Sequence, residues 1–475
     1  MEGERTGISR REVLKRGLLG AAGLAALPVV LAACGSGTAT PTPPASTPSP
    51  SPTPVPTPGP TPTPTPTLTP PLAGEVHVGT LLSDQIDLQG FNAVHAAFSA
   101  ANPGVDVLLK VADHGTFANP TYDYLQADAS DVATWFSGFR MRQLGSTGIF
   151  SPIGEVWAEV KDNFGEAFAR SVTGDDGHVY GIPTDFYPWA FFYRKSVWAA
   201  KGYTVPNTWD ELLALCARMR KDGLTPIAMA DKDGWPAMAT FDYLNLRLNG
   251  YAFHMDLLAG RQKWTDPKVT AVFERWREIV GFYPKSVADL TWQQAATSLT
   301  GRKAGMYLIG TFLNGQVDFA DPSGAARADL DFFPFPYFGN EFDAQKAVEA
   351  PVDILVTCAK SETLAANRAI AEAYLRFWAK GTTQLIWYKA DRAFLPTAGD
   401  IDLAALSASD RKAVEFVRGA NRVTQFFDRD TRPDFAGANA MQKFLLDFLQ
   451  HPSGDVAALQ ARIQAFWDSL PPCSG

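Results

Sequence analysis

Residues 181–195 read GIPTDFYPWAFFYRK, with six aromatic rings and one carboxylate in fifteen positions. That mixture suits a ligand with an apolar face and a hydroxylated edge. A pyranose is such a ligand: an indole or phenol ring covers its C–H face, while a carboxylate or amide meets its hydroxyls. Asp185, Tyr187 and Trp189 supply both chemistries beside Pro188, whereas Phe191 and Phe192 read as packing. The pattern recurs at Lys232-Asp233-Gly234-Trp235-Pro236, where Asp233 and Trp235 stand in a turn with little reason to be apolar unless something covers it. Trp292, in DLTWQQAATSL, fits a core or a cleft equally well. Arg392, after WYKAD, either binds a ligand or solvates a loop.

Elements must hold these residues. EVHVGTLL (75–82) reads as a buried strand, and the helix after it carries Phe91, Val94 and Phe98 on one face and stops at Asn102-Pro103-Gly104. VDVLLKV (105–111) and DVATWF (131–136) read as further strands, so strands alternate with helices as in an α/β sheet. Thr208 and Glu211 form a capping box that starts a helix running to about Asp222-Gly223. The strand LTPIAMA (224–230) leads into Asp233 and Trp235, the end of an α/β strand where ligands collect. Asp266-Pro267 starts another helix, with proline at its first position. AGMYLIG (304–310) and PVDILVT (351–357) are later strands, and the last hundred residues are mostly helical.

The first 72 residues do not belong to this fold. Arg10 and Arg11 precede an apolar run from Leu18 to Ala33 that is too short and too rich in Ala and Gly for a comfortable transmembrane helix. The consecutive arginines resemble a twin-arginine export signal, and Leu31-Ala32-Ala33-Cys34 resembles a lipobox, in which the Cys34 thiol is acylated. Thr38 to Pro71 is a Thr-Pro and Ser-Pro tract without an aromatic residue, an extended tether that cannot bury a core. Five of the 42 Lys/Arg and three of the 50 Asp/Glu precede residue 73, leaving 37 against 47 in the folded part. That acidic excess argues against nucleic acid and acidic membrane surfaces as partners. Cys216 and Cys358 sit in apolar contexts and read as buried thiols; no metal-ligand spacing exists among the cysteines and histidines, and no cofactor is expected.

Taken in order, these elements resemble the extracellular solute-binding family 1, the sugar-carrying lipoproteins of bacterial ABC importers that include maltose-binding protein. The blocks that carry the resemblance are Gly177-His178-Val179-Tyr180-Gly181-Ile182-Pro183, Phe192-Tyr193-Arg194-Lys195, Pro206-Asn207-Thr208-Trp209-Asp210-Glu211-Leu212, Gly301 to Met306, and Phe394-Leu395-Pro396-Thr397. Arg194 stands where the family usually has Asn. The resemblance implies an α/β, type II-like binding-protein fold of two lobes joined by several crossover strands, with 73–186 and 311–356 in one lobe and 187–310 and 357–475 in the other. The first crossing would fall near 185–190, a return near 305–312 and an exit near 353–360. The cleft residues it implies are Trp135 with Ser137 beyond it, Asp185, Tyr187 and Trp189 at the first crossing, Phe312 where the family usually has Trp, and Asp353 at a crossing. Asp84, closing the first strand, matches a sugar-contacting loop only loosely. Asp353 also reads as half of a structural ion pair, and Trp135 as a core tryptophan.

The implied function is capture of a sugar, an oligosaccharide by preference, by hinge closure and its delivery to membrane permease subunits. The implied protein is a monomer, lipid-anchored on the extracytoplasmic face, and not an enzyme. A polyamine or other small polar solute in the same fold is the alternative, since aromatics and acids serve it too. An envelope glycoside hydrolase is the more distant one, since it needs the same aromatics and two carboxylates.

Overall fold

The computed structural model describes residues 71–82, 85–112, 123–127, 129–232, 234–390, 392, 394–437 and 440–471. Cys34, the export signal, Asp84 and Asp233 lie outside these residues.

Each predicted strand forms. β1 (Ala73–Thr80), β2 (Gly104–Val111), β3 (Val132–Phe136), β4 (Phe150–Ser151) and β5 (Gly181–Phe186) begin the first sheet; β6 (Trp189–Arg194), β7 (Thr225–Ala228), β8 (Ala304–Gly310) and β9 (Leu330–Phe333) form the second. β10 (Ala347–Glu349) and β13 (Arg422–Thr424) make a short parallel ribbon, while β11 (Val352–Cys358) and β12 (Leu395–Pro396) return to the first sheet. The orders are β12-β5-β11-β3-β1-β2, with β4 beside β11, and β7-β8-β6-β9. β1 runs parallel to β2 and β3, and β11 antiparallel to β3 and β5. Every residue of β3 and of β8 is buried, as expected of strands covered on both faces.

Local signals set the helix starts. Thr208 Oγ1 accepts from the Glu211 amide at 3.3 Å and Glu211 Oε2 accepts from the Thr208 amide at 3.1 Å, closing the capping box. The helix Trp209–Lys221 then buries Leu212, Leu215, Cys216 and Met219, one face at helical spacing. Asp266 caps the next helix by accepting from the Lys268 amide at 2.8 Å. Burial pushes the Cys216 and Cys358 thiols up to about 12, so neither is a nucleophile near neutral pH. Arg194, the departure from the family pattern, donates to Asp329 at 2.7 Å and ties the end of β6 to the turn before β9.

The halves are drawn differently from the division expected above. β9 pairs with β6, so 330–333 belong to the second sheet, and the chain does not return to the first until Val352. Residues 305–312 are therefore not a return; β8 stays in the second sheet and ends at the seam. The helices Leu364–Trp378 and Gly381–Ala390 pack on β1 and on the helix Gln85–Ala101, so they sit with the first half rather than the second. The chain leaves that half after β12, not near 353–360. Sheet membership is decided by pairing between distant segments, and the apolar runs of β8, β9 and β11 carry no local mark of their partners.

Candidate functional site

The chain crosses between the sheets at Tyr187-Pro188 and again at Ala350-Pro351. These crossings are stitched together: the Tyr187 amide donates to Pro351 O at 3.2 Å, Thr311 to Pro188 O at 3.2 Å, and Ala350 to Thr424 O at 3.0 Å. Gln425 Oε1 accepts from the Val352 amide at 2.7 Å, bringing the segment after β13 to the same seam.

On one side of the seam the structure gathers rings. Trp189 meets Trp235 at 5.8 Å and Phe312 at 5.6 Å, both edge to face, and stacks on Phe426 at 4.9 Å between ring centres. Phe312 also meets Tyr187 at 5.8 Å, Trp235 at 6.0 Å and Trp292 at 5.3 Å. Tyr187, Trp189, Trp235, Trp292 and Phe312, five of the expected residues, are thus one cluster built from four separate stretches of chain. Trp189 is fixed from behind, where Tyr243 Oη donates to its carbonyl oxygen at 2.5 Å. Trp235 is fixed by its place just before Pro236, the first residue of the helix Pro236–Leu258. The indole N–H groups of Trp189 and Trp235 are buried without a hydrogen-bond partner among the described residues.

Charged groups adjoin these rings at Tyr187. Arg429 Nη1 donates to Asp353 Oδ1 at 2.7 Å, and the pair keeps 12% and 15% side-chain exposure. The Arg429 guanidinium lies 4.6 Å from the Phe136 ring centre and 5.3 Å from that of Tyr187, so it bridges the end of β3, the first crossing and β11. Burial opposes its charge, but Tyr187, Asp353 and Asp428 more than offset that and raise its pKa above the ordinary arginine value. Arg140 also faces the Phe136 ring, at 5.8 Å. Burial pushes the neighbouring Asp428 carboxyl above the usual carboxylate range, against the pull of Arg140 and Arg429. Asp185, paired with Asp353 in strand register, is buried and accepts from Thr184 Oγ1 at 2.9 Å. Ser137 is buried where its amide donates to Val352 O at 3.0 Å.

Two expected residues are elsewhere. Trp135 stacks on Phe136 at 4.7 Å and meets Phe150 at 5.9 Å, inside the first half and apart from the other rings. The strand end presents Phe136 to the arginines instead. Arg392 is exposed, with its guanidinium 5.5 Å from the Tyr388 ring, and no described contact brings it to the cluster. Phe136, Arg140, Phe426 and Arg429 were not among the expected residues. Of these, only FFDRD at 426–430, aromatics beside alternating charges, repeats the pattern that marked 181–195.

A family model described as bacterial extracellular solute-binding protein matches residues 83–384. The chain belongs to this family. The solute-binding proteins it is similar to include the alpha-glucosides-binding periplasmic protein AglE of Rhizobium meliloti, 25% identical over 80% of this chain and 84% of that protein. Two uncharacterized ABC transporter extracellular-binding proteins of Pyrococcus horikoshii are 27% and 24% identical, and the chain spans 58% and 46% of their length. Among solved structures, the bacterial solute receptor AcbH, described as having an exclusive preference for β-D-galactopyranose, is 34% identical with a TM-score of 0.76 over 84% of this chain and 98% of that one. A chitin oligosaccharide binding protein is 18% identical with a TM-score of 0.69 over 85% and 100%, which shows the two-lobed fold.

Proposed function

We propose that this solute-binding protein captures a sugar between its two halves, closes about the Tyr187-Pro188 and Ala350-Pro351 crossings, and delivers the sugar to an ABC permease. The observation that carries this reading is the cluster of Tyr187, Trp189, Trp235, Trp292 and Phe312 at the first crossing, with two indole N–H groups left for a ligand. Asp185 and Asp353 supply acceptors at the adjoining strand ends. AcbH and AglE bind galactopyranose and alpha-glucosides by their descriptions, which supports a carbohydrate of one or a few rings.

Closure works because contacts from both halves exist together only in the closed form, so the sugar shifts the equilibrium toward it. The protein acts as a receptor and not as an enzyme. It is exported and held by a lipid on Cys34, with the Pro/Thr tract as tether, so that the binding unit reaches the permease at the membrane surface.

A thermal-shift screen of the full chain against D-galactose, D-glucose, maltose, raffinose, spermidine and glycerol phosphate tests the reading, because a ligand of the native state raises the melting temperature. A sugar is expected to give the largest shift. Stabilisation by spermidine or glycerol phosphate alone overturns the reading, and release of shorter sugars from raffinose or maltose overturns the receptor assignment.

A further inference from the structure

We propose that Asp410 is a positioning residue: it ties the helix that follows Phe312 to the first half of the molecule and so fixes how the two halves face each other. Its effect on sugar rests on the reading above, whereas the tie itself does not.

The helix Ala408–Arg418 lies where the chain leaves the first half after β12. It touches both halves. Lys412 Nζ donates to Phe332 O at 2.6 Å and Phe416 meets the Phe332 ring at 6.1 Å, both on β9 of the second sheet. Arg418 Nη2 donates to Ala398 O at 2.5 Å, just past β12.

The helix opens with Ser407-Ala408-Ser409-Asp410, a spacing at which the acid ordinarily turns back to the amide of its own cap. Asp410 does not. The Ser407 amide donates instead to Tyr388 Oη at 3.3 Å, and the Asp410 carboxyl, 1% exposed, takes partners from far along the chain. Oδ2 accepts from Tyr388 Oη and from Ser407 Oγ, each at 2.7 Å. Arg327 Nη2 donates to Oδ1 at 2.8 Å and to Oδ2 at 3.0 Å, and Asn314 Nδ2 reaches Oδ1 at 3.5 Å. Burial, and then Asp410 itself, push the Tyr388 phenol up to about 12, so it stays a donor near neutral pH.

These partners belong to opposite halves. Tyr388 is in the helix Gly381–Ala390, which packs on the first half. Asn314 is in the helix Leu313–Ala320, which begins directly after Phe312, and Arg327 also donates to Asp318 of that helix at 2.8 Å. Asn314 and Asp318 are one turn apart, so the helix is held at two points. One carboxyl group cannot follow both halves if they move apart, so any separation must break the Tyr388 arm or the Arg327 arm. Phe312 meets Tyr187, Trp189, Trp235 and Trp292, and a loosened helix would leave that cluster to be ordered by the sugar as it binds.

Small-angle X-ray scattering of the ligand-free full chain, with calorimetric titration of D-galactose, D-glucose, maltose and raffinose, tests this. Tyr388→Phe removes one hydroxyl and keeps the ring. It is expected to enlarge the radius of gyration and to raise the Kd of a sugar that binds wild type by at least about 3-fold, the loss of one hydrogen bond. Urea unfolding checks that the variant folds; if it does not, Arg327→Lys, which keeps the charge but not the forked reach, is read in its place. A radius of gyration equal to wild type overturns the tie, whatever the sugars do. An enlarged radius with a smaller change in Kd overturns the positioning of the site and leaves the sugar reading intact. Thr208→Ala, a lost cap with no part in this network, is expected to keep both values; if it moves them as Tyr388→Phe does, the effect is one of stability and the role is overturned. If no sugar binds wild type, the sugar reading fails and the scattering alone decides the tie.

Discussion

Gly310 shows how closely the residues of the seam are fitted. A Cβ at this position would lie 2.5 Å from a Phe312 ring carbon and 3.3 Å from Trp189 Nε1, so both rings would have to move. Gly310→Ala is therefore expected to cost about 1–3 kcal/mol of stability through overpacking, read as a lower urea midpoint with an unchanged slope. A midpoint equal to wild type would show that the rings have room to give. The rings themselves were legible in the sequence, because Tyr187, Trp189 and Trp235 break the expected pattern at a proline or a turn. Trp135 was not, because no local signal tells which of two adjacent rings at the strand end, Trp135 or the Phe136 on which it stacks, meets the arginines. Arg429 was invisible for another reason: its partner Asp353 is 76 positions away. Asp353 was readable as half of an ion pair, but nothing in the sequence named the other half.

At the scale of elements, the signals that act over three or four residues were readable and the pairings were not. The capping box at Thr208 and the proline start at Asp266-Pro267 stand where they were expected, because a cap is satisfied by its own helix. Thr208→Ala removes the acceptor for the Glu211 amide and is expected to cost about 1 kcal/mol, again read in urea unfolding. A change indistinguishable from zero would mean that solvent replaces the bond at that exposed turn. Sheet membership followed no such signal. β9 joins β6 and the helices at 364–390 join the first half because of long-range contacts, and a resemblance alone placed both on the wrong side.

The whole molecule adds a pH dependence centred beneath the second crossing. Glu349, the last residue of β10, and Asp242, in the helix Pro236–Leu258, are fully buried. Burial foremost pushes both carboxyls well above the ordinary range, helped at Asp242 by Asp430 and Asp428 against a hydrogen bond from the Phe427 backbone, and at Glu349 by Asp242, Asp428 and Asp430. The folded state therefore holds protons that the unfolded state has released, and stability falls as pH rises from the unfolded value near 4 through the raised folded values. His95 and His254, held neutral by burial with values lowered to about 4 and about 3, act in the opposite sense below the ordinary histidine value, since the unfolded chain takes up protons there. Glu349→Gln leaves the histidine contribution in place. Its stability relative to wild type is expected to grow from pH 4 to pH 8, measured as the difference between the two urea unfolding free energies. Parallel curves across that range would place the ionisation elsewhere.

The account as a whole depends on a sugar being enclosed by rings from separate stretches of chain at the first crossing. Titration of D-galactose, D-glucose, maltose and raffinose into the full chain, followed by tryptophan emission, tests that most directly. At least one sugar should shift the emission saturably at one site per chain, and the shift should be lost in a Trp189→Phe/Trp235→Phe variant that still folds. No response to any of the four sugars, or a response that survives the loss of both indoles, would contradict it.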